Sequence, residues 1–181
     1  MSRIISRQRG FSLTELVLVV AMAGTVAAMA VPLSGDLMAT MKINEASRLI
    51  ERELADARLR AVSTNRALRV RTNCPVAGFV RTVEFLATAA DSAANRCLNS
   101  AFPFPADDDL MTRPNYDGPV RTISNGASVT TVTLQFQPDG TVFNVVNNVL
   151  TTMTTEQTLT ISKGNKSRTV RVNSAGKIQI Q

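Results

Sequence analysis

The 181-residue chain has no histidine, no tryptophan, one tyrosine and two cysteines. Each scarcity excludes something. Without histidine no Ser-His-Asp constellation can form. Two cysteines alone cannot complete a zinc site of the usual Cys/His kind. Nor is there a Walker A loop or a dinucleotide fingerprint. No catalytic residues, no metal and no cofactor are therefore expected, and the chain does not read as an enzyme. Aromatics make up 4% of the residues, so the core must be built from Val, Leu, Ile and Ala, closer to a β-sheet than to a ligand pocket. Acids are missing from the first ten residues, which hold Arg3, Arg7 and Arg9. Those arginines supply half of the formal charge of +6. The remainder is only mildly basic, too little to announce nucleic-acid binding.

Cys74 and Cys97 are too far apart for a CxxC motif. In an exported protein they read as one disulfide, worth roughly 3 kcal/mol in the chain-entropy model. The alternative is a pair of small buried thiols.

From Leu16 to Leu33 the chain carries no charge, yet Glu15 sits at the lip of this run. Three readings compete. A cleaved secretory signal fits the basic start and Ala28-Met29-Ala30. A plain anchor fits the length, at the lower bound for a spanning helix, with the arginines on the cytoplasmic side. Neither explains a carboxylate beside the membrane core, where such groups usually have a partner.

The third reading supplies one. Gly10-Phe11-Ser12-Leu13-Thr14-Glu15 resembles the processing site of type IV pilins and type II secretion pseudopilins. The resemblance implies cleavage between Gly10 and Phe11 by a prepilin peptidase, and methylation of the new N-terminal Phe11. It implies that Glu15 pairs with the N-terminal ammonium of a neighbouring subunit. Two opposite charges that meet where water is scarce relieve each other's desolvation, and wrong registers leave both unpaired. Pro32, inside the helical stretch, is expected to kink it; pilins often carry a proline there.

Beyond Gly35 the residues Ile43, Ala46, Ile50, Leu54, Ala57 and Ala61 recur at helical spacing, with charges on the other faces. Asp56 and Arg60 form an i,i+4 pair. A helix from Phe11 to about Ser63 would have a first half that needs lipid or other subunits and a second half that needs a sheet. Strand-like alternation follows at Leu68 with Val70, Phe79 to Leu86, Val132 to Phe136, Thr141 to Val146, Leu159 with Ile161, Val170 with Val172, and Ile178 with Ile180. Turn signals lie at Pro138-Asp139-Gly140, Lys163 to Lys166, and Asn173 to Gly176. The alternation predicts one face buried against the helix and one wetter face. From about Ala87 to Pro119 the chain reads as a long loop. Its Asp107-Asp108-Asp109 run is the kind of cluster that attracts Ca²⁺, but it lacks EF-hand spacing and reads as a solvated acidic loop.

The stretches LQFQPDGTV (Leu134–Val142) and LTISKGNKSRTVRVNSAGKIQI (Leu159–Ile180) look like the GspH/FimT group of minor pilins and pseudopilins. So does the helix with Glu53-Leu54, Ala57-Arg58 and Asn65-Arg66. A tryptophan often found after the first strand of that group is missing here. The resemblance implies an α+β type IV pilin fold, a long N-terminal helix packed on an antiparallel β head. It divides the chain into a leader (1–10), an apolar transmembrane or filament-core helix (11–35) and a head (36–181). The head would comprise an amphipathic helix over 36–64 and a β-rich part over 66–181. It implies a single-pass inner-membrane protein with its N-terminus cytoplasmic and its head in the periplasm. Its expected partners are other pilins at a filament tip, the prepilin peptidase and an inner-membrane assembly platform.

Two rival roles come with the resemblance. Some FimT-like proteins use a Gly-Arg-x-Arg motif for DNA capture. Here Gly176-Lys177-Ile178-Gln179 stands at that place, and Lys163, Lys166, Arg168, Arg171 and Lys177 would contact phosphate. The competing explanation is a strand edge protected by lysines. A major pilin is the other rival, but its disulfide usually ties the C-terminal region, whereas both cysteines here precede it.

Overall fold

The computed structural model describes residues 10, 12–104, 117–123 and 126–181, with the backbone alone for 29–34. Helix α1 spans Leu13–Thr64. The chain divides into two compact units, residues 1–38 and 39–181. In the first, Leu16 to Val20 are all more than half exposed. Among the described residues no helix is long and apolar enough to cross a membrane. The uncharged run seen in the sequence extends through residues 29–34, whose side chains, that of Pro32 included, lie outside the described set.

In the second unit the stripe from Ile43 to Ala61 is buried throughout, with Ala46, Ile50, Leu54, Ala57 and Ala61 fully inaccessible. Its spacing keeps one side chain per turn on the same face, which is why a helix can bury it. Ser47 joins the stripe because its hydroxyl donates to Ile43 O at 2.7 Å, satisfying the polar atom inside the core. The helix stops at Asn65, which takes φ +53, while Arg66 N reaches back to Ala61 O at 3.2 Å. That is a Schellman ending, with asparagine where glycine is more usual.

Among the described residues ten strands follow: β1 (Leu68–Thr72), β2 (Phe79–Glu84), β3 (Arg121–Thr122), β4 (Ser128–Val129), β5 (Thr133–Phe136), β6 (Val142–Val146), β7 (Val149–Thr152), β8 (Gln157–Lys163), β9 (Lys166–Val172) and β10 (Ile178–Ile180). They form two antiparallel sheets, ordered β3-β2-β1-β5-β6-β7 and β10-β9-β8-β4. The core joins Ile50, Leu54 and Ala57 to Val70, Leu134 and Phe136 of the first sheet and to Leu159, Ile161, Val170 and Val172 of the second. Pairing of Leu68 with Phe136 and of Val70 with Leu134 sets these residues on one face of β1 and β5.

The opposite face departs from the expectation of wetness. Arg69, Arg81 and Gln135 are all essentially inaccessible. The cause is the segment after β2, which reads as loop but lies over this face as a cover. It begins with a single 3-10 turn, Ala89–Ser92, capped by Thr88. Buried Asp91 accepts from Leu86 N and Thr88 N at 3.0 Å each. Cys97 is bonded to Cys74 at the end of β1, so the cover is covalently tied to the sheet. The Asp107–Asp109 run lies outside the described residues. Strands β3, β4 and β7 are additions to the sequence reading, and so is the split into two sheets.

Candidate assembly site

The start of α1 is organised by Ser12. Its hydroxyl accepts from Glu15 N at 3.2 Å, and its carbonyl accepts from Glu15 N and Leu16 N at 3.1 Å each. Ser12-x-x-Glu15 is the pattern of a capping box, which places the carboxylate in the first turn, at the positive end of the helix. The Ser12-x-x-Glu15 spacing that signals it is present in the sequence itself. The Glu15 side chain is exposed, and so are Leu13 and Leu16 beside it. Among the described residues no cation forms an ion pair with Glu15. Gly10 is exposed, and Phe11 lies outside the described set.

The five basic residues considered for DNA contact are spread out. Lys163 and Lys166 face each other at the tip of the β8–β9 hairpin, and Arg168 is opposite Ile161. Desolvation, then the neighbouring Lys42, pulls the Lys163 ammonium below its ordinary range. Arg171 is opposite Thr158, an odd number of residues from Arg168 and so on the other face of the strand. It lies 3.8 Å from Glu156. Lys177 follows the turn at the far end of β9, roughly 20 Å from Lys166 at the usual rise per residue. These charges do not gather on one end of the sheet.

Arginines of β1 and β2, on the face that alternation predicts to be the wetter one, form a connected polar group in the head. Arg69 donates through Nε to Gln135 Oε1 at 2.7 Å and through Nη1 to Asn148 Oδ1, and its guanidinium lies 4.4 Å from the centre of the Phe85 ring. Arg81 donates to three carbonyls of the cover: Gly118 at 2.9 Å, Cys97 at 3.1 Å, and Phe102. Arg71 donates to Asp91 O. Burial lowers the proton affinity of all three guanidiniums. This network can fix the cover on the sheet; it shows no nucleophile. Among the described residues no group of three or more His, Cys, Asp or Glu could hold a metal ion.

Residues 46–176 match the family model described as "Type II transport protein GspH". The chain belongs to this family. Residues 5–31 match a second model, the "Prokaryotic N-terminal methylation motif", which covers Gly10, Phe11 and Glu15. The GspH-family head also resembles a solved structure, the type IV minor pilin FimU of Pseudomonas aeruginosa PAO1 in space group P21. The TM-score is 0.50 at 18% identity, over 78% of this chain and 90% of that one. A second crystal form of FimU, P65, gives 0.44 at 18% identity, over 76% and 91%. None of the curated proteins matches. The fold is that of the type IV pilins, with the long helix and antiparallel head expected from the sequence, and the chain is a GspH/FimT-like minor pilin or pseudopilin.

Proposed function

We propose that this chain is a non-enzymatic minor subunit that helps to initiate or cap a type II secretion pseudopilus or a type IV pilus. Family membership implies assembly with other pilins in a filament. The leader is removed after Gly10 by the prepilin peptidase and Phe11 is methylated. Residues 11–35 hold the chain in the inner membrane, with the head on the periplasmic side, until the assembly platform extracts it.

One observation carries the reading. Glu15 is fixed in the first turn of α1, exposed, among apolar side chains, inside a segment that matches the methylation motif. A charge so placed is stabilised when a neighbour's N-terminal ammonium arrives. The DNA-capture reading has no comparable support, because its basic residues are divided between the two ends and two faces of the β8–β10 sheet.

The test is the intact mass and N-terminal sequence of the protein from its own membranes. A methylated Phe11 start is expected, and a Val31 start would overturn the reading. Glu15→Ala and Glu15→Val should leave cleavage intact and impair incorporation into filaments.

A further inference from the structure

The layer under the cover holds more positive charge than the described residues neutralise. Arg69, Arg71, Arg81 and Arg96 meet there, and two carboxylates, Asp91 and Asp117, stand against them. Asp117 is taken by Arg96. Both Asp91 oxygens accept from the cover's own backbone, at Leu86 N and Thr88 N. Among the described residues Arg69, Arg71 and Arg81 donate only to amide and carbonyl oxygens. Arg71 and Arg81 also lie directly opposite each other across β1 and β2, an arrangement in which like charges repel.

Arg71 differs from the other two. It is half-buried and lines a cavity of about 380 Å³, within the roughly 300–1,000 Å³ of small-molecule sites. Its one hydrogen bond goes to Asp91 O, and its Nε is buried with no partner. A buried donor left in this way calls for an ion or a water. Burial first, and then Arg96, lower the proton affinity of the guanidinium, with Asp91 and Asp117 opposing. The remaining walls bring donors and no further acid. Thr133 is the neighbour of Arg71 on β5, and the Asn147-Asn148 turn borders the same cavity. Asn148 Oδ1 accepts from Arg69, which leaves the NH2 of that amide as a donor. No acid occurs from Thr141 to Thr155, the stretch that contains β6 and β7.

We propose that this cavity is an oxyanion site, in which one carboxylate or phosphate group bonds to Arg71, with Thr133 and the Asn147-Asn148 turn supplying further donors. Charge selects the class of ligand. An anion brings the counter-charge that the layer lacks, whereas a neutral or cationic ligand leaves the guanidinium unpaired. Bonds from a guanidinium to an oxyanion are also among the strong ones. The group has two sources, a free anion or an acidic side chain of a neighbouring subunit. Only the second source rests on the filament reading.

The test is a calorimetric titration of the purified full-length chain in detergent micelles with sodium phosphate, against sodium chloride at equal ionic strength. One phosphate per chain is expected, with a melting temperature several degrees higher. Phosphate also stabilises folded chains in general, by exclusion from their surface, so the response is read against variants. Arg71→Gln should remove the binding heat and most of the shift. Arg168→Gln, at an exposed arginine of β9, should keep both. Asn147→Asp lies in an exposed turn whose φ of +50 suits aspartate, and it should weaken phosphate binding several-fold by repulsion. No saturable heat, or a response undiminished in Arg71→Gln, overturns the inference. Where Arg71→Gln does not fold, an undiminished response in Asn147→Asp overturns it instead. So does binding that appears only after Asp107, Asp108 and Asp109 are all changed to Asn, because the chain's own acidic run is then the occupant. Once binding is measured, Arg71→Gln chains that start at methylated Phe11 but enter filaments several-fold less identify a neighbour's carboxylate as the source, and normal entry identifies a free anion. A start elsewhere than Phe11 overturns the functional reading and leaves the titration standing.

Discussion

Arg96 and Asp117 meet in a two-point contact with both side chains closed off from solvent. Arg96 Nη2 donates to Asp117 Oδ1 at 2.7 Å, and Nη1 donates to Oδ2. The side chains are 0% and 1% exposed. The same pair grips the end of β2: Arg96 Nη2 also donates to Glu84 O at 2.9 Å, and Asp117 Oδ1 accepts from Glu84 N at 3.1 Å. Arg96 further stacks on Phe102, 4.3 Å from the ring centre. One ion pair thus ties both ends of the cover to the sheet.

Asp117→Ala leaves the Arg96 charge buried without its counter-ion. The expected loss is about 3–5 kcal/mol, since removing one partner of a buried pair costs more than the pair itself contributes. Denaturant unfolding of the full chain in detergent measures it. Replacing both, Arg96→Met with Asp117→Leu, should recover only part of the loss: no orphan charge remains, but Glu84 N and O lose these partners.

Gly176 lets two turns meet the helix. It takes φ +76, and a Cβ there would fall 2.5 Å from Arg58 Nε and 2.6 Å from Gly140 O. Arg58 Nη2 donates to Ala175 O at 3.0 Å, joining α1 to the turn before β10. Gly176→Ala meets both backbone strain and a clash, and strain of this kind alone costs about 1–3 kcal/mol. Gly164→Ala is the control, with φ +60 but open space around the added atom. The melting temperature should fall clearly further for Gly176→Ala than for Gly164→Ala.

Glu53 gives the head a pH dependence of definite sign. Burial raises its carboxyl above the ordinary 4.5, with Arg121, 3.3 Å away, opposing. The folded chain therefore holds a proton that the unfolded chain has already released. Stability contributed by this group declines as pH rises from about the ordinary value through the raised one. Glu53→Gln should flatten the stability profile in that window, and unfolding midpoints taken across it provide the check.

How far the sequence could be read follows from the range of each interaction. The stripe from Ile43 to Ala61 was legible because helical periodicity is a local property, and all six positions are buried. The hairpins at Gly164 and at Gly176 were legible because positive φ leaves a compositional mark. Strand β7 was not, because its signal is the Asn147-Asn148 turn, which carries no glycine, and a strand with no buried residue shows no alternation. The burial of Arg69 was not legible, because alternation within β1 records only that Leu68 and Val70 differ from Arg69 and Arg71. It is silent on what covers the other face.

The amino-acid order alone determined the family, the long helix, the antiparallel head and the Gly10-Phe11-to-Glu15 motif, since each rests on neighbours within a few turns or one hairpin. The tertiary structure decided the rest. It made Arg69 and Arg81 the floor of a covered layer, by bringing Arg96, Cys97, Phe102 and Asp117 over the sheet. It divided the basic residues between two ends of β9, and it left β7 as an unguarded edge. The physical reason is common to all three. Burial, charge pairing and edge exposure depend on which distant segment lies opposite, and no local pattern encodes that.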